Sequence, residues 1–207
     1  LEYLSSGMMD GLITALGRME GFSVVSRQTL SATEKTLKFR IAGLSAQGDL
    51  FAAAERVGAD YIVTASFARS GGGLRLSCEL NGVEEGVLVG SWSEDLSDLE
   101  KEFFPTLDGF ASRVAGALGA GWKDDRGAGS AKNALTPSLE ALKFFEQGVE
   151  AWEATDAVGV LDNMRAAIRL DPQFTAAYLW LARITPEPEE KKSALESAMK
   201  YRHKAPP

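Results

Sequence analysis

The stretch LEALKFFEQGVEAWEATDAVGVLDNMRAAIRLDP at residues 139–172 decides the fold of the second half of this chain. It is patterned as two short helices, and Asp171-Pro172 closes it. A second stretch of the same kind ends at Ala205-Pro206, so the proline-containing ends of the two stretches lie 34 residues apart. Because proline ends or kinks a helix, the sequence predicts helices over residues 138–154, 157–170, 174–184 and 187–203, stacked as antiparallel pairs.

The 34-residue period resembles that of the tetratricopeptide repeat (TPR), a helix-turn-helix unit that binds partners and carries out no chemistry. In the first copy the family pattern falls on Phe144, Gln147-Gly148, Ala151, Val160, Met164, Ala167 and Pro172. In the second copy it falls on Tyr178, Leu181-Ala182, Thr185, Ala194, Ala198, Tyr201 and Pro206. The spacing matches, whereas Gln147, Ala151 and Thr185 depart from the pattern. The resemblance implies an all-α region of two TPR helix hairpins over residues 137–207, which is too few for an independent solenoid.

Residues 1–118 are predicted to form an α/β domain, in which helices flank a mixed sheet, and residues 119–136 to form a linker. Apolar residues at helical spacing predict helices over 9–19, 49–58 and 103–118, with Asp49 as the expected cap of the second. Strands are predicted at 22–26, 61–67, 74–80 and 87–92. Ser70-Gly71-Gly72-Gly73 lies between two of these strands and predicts a hairpin turn.

Three phrases in this half resemble the amino-terminal domain of the TolB family. They are YLSSG with DGLITAL at residues 3–7 and 10–16, GFSVVSR at 21–27, and VGADYIVTAS at 57–66. TolB-like domains occur alone and attached to bacterial eukaryotic-like serine/threonine kinases, adenylate cyclases and transcriptional regulators, commonly with TPR repeats after them. The resemblance therefore implies the non-catalytic region of a bacterial signalling protein, with a serine/threonine kinase as the expected parent.

The chain departs from the TolB-like pattern in three ways. The family's first strand is missing and Leu1 is not an initiator Met, so we expect a fragment of a longer protein with an incomplete sheet. Residues 30–48 are a longer insertion than usual, predicted to be an added helix or a mobile flap. No propeller repeats follow, so the envelope role of TolB does not transfer. A membrane span before Leu1 in the parent would make the chain periplasmic, and without one it would be cytoplasmic.

Charge and hydropathy exclude two classes of partner. Residues 1–122 hold 10 Lys/Arg against 16 Asp/Glu, and such a surface repels a phosphate backbone, so we expect no nucleic-acid partner. No apolar run approaches the roughly 20 residues of a membrane-spanning helix, so we expect no direct membrane insertion of this fragment. Within residues 84–102, seven acidic side chains are opposed only by Lys101. A solvated edge is the favoured interpretation, and a site for a cation or a basic partner is the alternative.

No catalytic residue, cofactor or metal is predicted. The glycines at 71–73 lack the Lys-Ser/Thr and following helix of a phosphate loop. His203 is the only histidine, which disfavours a Ser-His-Asp triad and a zinc site. Cys78 alternates in phase with Leu76 and Leu80, so we expect a buried thiol. The sequence motifs of a protein kinase are absent, so this part of a kinase would not phosphorylate.

The repeat region carries the predicted partner site. The face that lines the groove of longer TPR arrays holds Leu142, Phe145, Val149 and Trp152, followed by Ala176, Leu179 and Arg183. We choose Trp152 and Arg183 as the partner-binding residues. Alternatively, this face packs against the α/β domain or the linker around Trp122, since two repeats must bury a flank somewhere.

The sequence thus predicts a non-catalytic sensory or scaffolding region that binds a protein or peptide partner. One alternative is a small-ligand-binding domain that uses the cleft at the carboxyl ends of parallel strands, near Ser26-Arg27 and Ser66. Another is a stand-alone TPR adaptor. The incomplete sheet also suggests a homodimer, in which a second copy fills the open edge by strand exchange.

Overall fold

A computed structural model describes residues 2–25, 29, 46–120 and 136–202. The elements in chain order are α1 (Glu2–Leu16), α2 (Ala46–Arg56), β1 (Tyr61–Ser70), β2 (Gly73–Gly82), β3 (Leu88–Leu96), α3 (Leu99–Ala117), α4 (Leu139–Glu153), α5 (Ala157–Leu170), α6 (Thr175–Ile184) and α7 (Pro188–Lys200). Helices therefore flank a small sheet in the first half, and helices alone follow it. None of the helices within the described ranges is long and apolar enough to cross a membrane.

The three strands form an antiparallel meander in the order β1-β2-β3. The prediction of a mixed sheet was wrong for the described residues, because both pairings are antiparallel. Residues 22–25 of the predicted strand at 22–26 form no strand, and Ser26 lies outside the described residues. Phe22 and Val24 pack half-buried against the main core instead. A short β-branched run indicates burial as much as pairing, which explains the error.

One face of the sheet builds the main core. Leu76, Cys78 and Leu80 on β2 are fully buried beneath α1 and α3, as their alternation predicted. A smaller cluster of Ala54, Ile62 and Val83 forms where α2 meets β1. Helix α2 begins at Ala46, so Asp49 lies inside the helix and the prediction that it caps the helix was wrong. Asp is favoured throughout the first turn as well as at the cap, and the sequence did not separate these positions.

The predicted hairpin turn and the third helix are both present. β1 ends at Ser70 and β2 begins at Gly73, with Gly71 at a φ of +57° that favours glycine. Helix α3 begins at Leu99, earlier than predicted, because the Asp98 side chain accepts a hydrogen bond from the Lys101 backbone N–H at 3.2 Å.

All four helices predicted for the second half are confirmed within a few residues at each end. A short loop joins α4 to α5 and another joins α6 to α7, so the chain forms two helix hairpins that pack on each other. Gly148 permits the close approach of α4 and α5, because a Cβ there would lie 2.5 Å from Met164 Cε. Arg165 on α5 holds Glu190 on α7 through two hydrogen bonds of 2.9 Å, which ties the second hairpin to the first.

The first hairpin is continuous with the α/β core. Leu139 and Leu142 of α4 belong to the main core cluster together with residues of α1, the sheet and α3. At the crossing of α1 and α4, a Cβ on Gly7 would lie only 2.6 Å from Leu142 Cδ2. Gly7 therefore permits the contact, and α4 joins the main core through Leu139 and Leu142, whereas the two hairpins pack around a separate cluster that includes Phe145, Met164 and Phe174.

Candidate partner-binding site

Trp152 lies in the last turn of α4 and is 42% exposed. The turn after it is tightly constrained, because Thr155 adopts a φ of +61° and its N–H donates to the Trp152 carbonyl at 3.0 Å. This left-handed conformation is unfavourable for a β-branched residue. Asp156 then starts α5, where its side chain accepts from the Gly159 N–H at 2.9 Å. These contacts fix the end of α4 and with it the position of the tryptophan.

Arg183 lies in the last turn of α6, on the hairpin that packs beside the first one. Its side chain is exposed, and a cation in this position interacts favourably with the negative end of the helix dipole. Thr175 anchors the other end of α6, since its hydroxyl donates to the Tyr201 carbonyl at 2.8 Å. The hairpin packing therefore brings Arg183 towards α4 on a fixed framework.

The structure brings the two predicted residues together and adds a third, Trp180. The Arg183 guanidinium carbon lies 5.3 Å from the centre of the Trp152 ring and 5.6 Å from that of Trp180. The two indole rings meet edge to face, with centres 5.9 Å apart and an interplanar angle of 71°. We call these three residues the Trp–Arg cluster. Trp180 is not among the residues predicted from the sequence, although its spacing of three from Arg183 places both on one helix face.

The Trp–Arg cluster combines an aromatic surface with a positive charge. A guanidinium near two indole rings is held by cation–π attraction, which fixes its plane and leaves its N–H groups available for hydrogen bonds. Within the described ranges, no carboxylate lies within ion-pair distance of Arg183. The cluster is therefore suited to a ligand that brings a carboxylate and an apolar group together.

The rest of the predicted face is partly covered. Leu142 is fully buried against α1, so the alternative prediction, that this face packs against the α/β half, is confirmed for this end of the face. Phe145 is also buried, with its ring 4.9 Å from that of Phe174. Leu179 remains 48% exposed on α6, beside the Trp–Arg cluster. The open part of the face therefore runs from Trp152 to Leu179 and Arg183, while α1 closes the other end.

Three of the seven carboxylates in the acidic window at 84–102 form ion pairs within the molecule. Arg113 pairs with Glu94 at 2.6 Å and Arg75 with Asp95 at 2.7 Å, in addition to the nearby pair of Lys101 and Asp98. Two arginines from outside the window thus supply the positive charge that the local sequence lacked. The described residues hold no cluster of three or more side chains suited to a metal ion. These contacts favour the interpretation of the window as a solvated edge.

Of the other residues considered in the sequence, Cys78 and Ser66 lie within the described ranges and the rest lie outside them. Cys78 is the buried thiol that the alternation predicted, and burial raises its pKa to about 11. Ser66 lies in the middle of β1, opposite Ser77 of an antiparallel neighbour, so the described strands form no parallel edge for the predicted small-ligand cleft. Ser26, Arg27, Trp122, His203 and most of the insertion at 30–48 lie outside the described residues.

No protein-family model matches this chain, and no curated protein matches it with significant similarity.

Proposed function

We propose that this chain is a non-catalytic protein-interaction region of a bacterial signalling protein, in which TPR-like hairpins bind a peptide segment of a partner. The Trp–Arg cluster is the observation that carries the proposal. Trp152 and Arg183 come from different hairpins, so their juxtaposition depends on the helical packing and gives the hairpins a defined ligand surface. A serine/threonine kinase is the proposed parent, on the resemblance of residues 3–16, 21–27 and 57–66 to TolB-like domains.

The chemistry of the cluster defines the bound segment. A carboxylate, from an acidic side chain or a chain terminus, accepts hydrogen bonds from Arg183, while an apolar side chain beside it packs on Trp152 and Leu179. The TolB-like half supports this surface by covering the Leu142 end of the face with α1. A covered end limits the peptide to a short site at the Trp152 end.

Selection of a random peptide display library on the full chain tests the proposal. We expect enriched peptides to share a carboxylate next to an apolar residue. Trp152→Ala and Arg183→Ala should each weaken binding at least about tenfold, since hot-spot Trp and Arg residues cost more than ~1.4 kcal/mol when truncated. Arg183→Lys should also weaken binding, because lysine keeps the charge but loses the planar stacking.

Val158→Ala is the matched control, since Val158 is 68% exposed on α5 and lies outside the cluster. Its peptide affinity should equal that of the unmodified chain. If no peptide is enriched, or if the enriched peptides bind Trp152→Ala and Arg183→Ala as tightly as the control, the cluster is not a partner site.

A further inference from the structure

The outer edge of β3 is unpaired in the part of the chain that the structure describes. In the described part of the chain β3 pairs with β2 alone. Its sequence, LVGSWSEDL, contains no lysine and no proline, which are the residues that commonly block further pairing at an edge strand. Just before and at its start, Val87, Leu88 and Val89 are 55%, 53% and 45% exposed. A monomer would leave three consecutive apolar side chains in water beside an unpaired edge.

The charges on β3 are already compensated within the molecule. Glu94 pairs with Arg113 and Asp95 with Arg75, so neither carboxylate of the strand needs a cation from a partner. A basic peptide would have to compete with both arginines. The edge is therefore better suited to an uncharged strand, or to another strand whose charges are paired in the same way.

We infer that a second copy of this chain pairs with β3, antiparallel and centred on Trp92, to join the two sheets into one. A two-fold axis at Trp92 places Ser91 opposite Ser93 of the second copy, and Trp92 opposite its own counterpart. The sequence Ser91-Trp92-Ser93 is symmetric about this point, as an isologous interface requires. The paired acids of one copy then face the uncharged start of β3 in the other, which avoids like-charge contacts.

The surroundings of β3 leave room for this pairing. A groove of about 360 Å³ lies between β3 and α3, and its helical side holds the short residues Thr106 and Gly109 as well as the longer side chains of Lys101, Glu102 and Arg113. A second copy could approach α3 closely only at Thr106 and Gly109. Val89 has no opposite residue on β2, because Leu80 pairs with Gly90 and Asn81 with Leu88, so this bulge lies at the end of the symmetric pairing, where Leu88 and Val89 meet Leu96 and Asp95 of the second copy.

Sedimentation equilibrium on the full chain tests the inference. We expect the unmodified chain to be a dimer at micromolar concentrations. Leu88→Glu should raise the dissociation constant at least about tenfold, because it removes an apolar contact and puts a carboxylate near Asp95 of the second copy. Val158→Glu, at an exposed site on α5, should leave the constant unchanged. A monomeric unmodified chain overturns the inference, and so does a dimer that Leu88→Glu leaves intact.

A cysteine pair gives a second readout that does not depend on weakening the dimer. The double variant Ser91→Cys, Ser93→Cys should form covalent dimers under mild oxidation, since opposite residues of antiparallel strands lie within disulfide distance. Native Cys78 is fully buried and should not crosslink. If the variant stays monomeric on a non-reducing gel, this register is wrong. Trp152→Ala should not change the oligomeric state, so failure here and failure of the peptide site are distinguishable.

Discussion

Substitutions at Gly7 and Leu142 give the strongest test of the packing between α1 and α4. Leu142 is fully buried, so Leu142→Ala should lower the free energy of unfolding by about 2–5 kcal/mol. Gly7→Ala alone adds a Cβ within 2.6 Å of Leu142 Cδ2 and forces that side chain into its packed neighbours. Such overpacking costs about 1–3 kcal/mol, which exceeds the 0.5–1 kcal/mol or so that alanine gains over glycine in a helix.

The double variant should reverse the sign of the glycine substitution. Once Leu142→Ala has removed the obstructing methyl, Gly7→Ala should stabilise the chain by its helix propensity alone. The coupling between the two sites should therefore be about 1–3 kcal/mol, measured by urea denaturation of the four chains in the cycle. Gly116→Ala is the control, because a Cβ there meets no atom within 4 Å and should not couple to Leu142. If Gly7→Ala stabilises both backgrounds equally, α1 and α4 do not pack as described.

Three further predictions concern single residues. Thr155→Gly should raise the free energy of unfolding by about 1 kcal/mol, because glycine tolerates the φ of +61° that strains threonine. If the turn is unstrained, thermal melts will show no gain in stability. Hydrogen bonds from Arg165, and then from Thr185, lower the pKa of Glu190. The contribution of ionised Glu190 to stability is therefore present above the glutamate pKa of the unfolded chain. It is lost as the pH falls through the pKa of Glu190 in the folded chain. Glu190→Gln should therefore cost up to about 1 kcal/mol at neutral pH and less in acid, and a pH-independent difference would refute the role of the charge. Cys78, buried with a raised pKa, should react with a thiol reagent only as fast as the chain opens, and rapid labelling at neutral pH would contradict its burial.

The helical half was predictable because its signals are local. Period-3.6 runs, the proline at 172 and the short polar breaks fix where each of the four helices begins and ends. The hairpin of β1 and β2 and the burial of Cys78 were predictable for the same reason. A glycine turn and a period-2 alternation each span no more than ten residues of sequence. The identity of the hairpins as TPR repeats stays a prediction.

The errors and omissions involve residues that are distant in sequence. The segment at 22–25 has the composition of a strand, but pairing requires a neighbour, and the local sequence does not show whether one exists. The partners of Glu94 and Asp95 are 19 and 20 residues away in sequence, so the acidic window looked uncompensated. Trp152 meets Arg183 only because the two hairpins stack. Each residue could be chosen as a candidate from its position on a helix face, and so could Trp180 from its spacing of three from Arg183, whereas the contacts of Trp152 with the other two required the tertiary structure.

The proposed dimer and the proposed peptide site make a joint prediction about valency. Each copy carries one Trp–Arg cluster, and the cluster residues lie on α4 and α6, outside the strand that pairs. A dimer therefore presents two clusters, and a ligand with two peptide segments on a linker that spans them should bind more tightly than a single segment. Leu88→Glu should abolish that advantage while leaving the affinity for a single peptide unchanged, as fluorescence titrations with monovalent and bivalent forms of one selected peptide would show. If Leu88→Glu weakens the monovalent peptide as well, the β3 edge and the cluster are not independent surfaces, because dimerisation would then be shaping the peptide site itself.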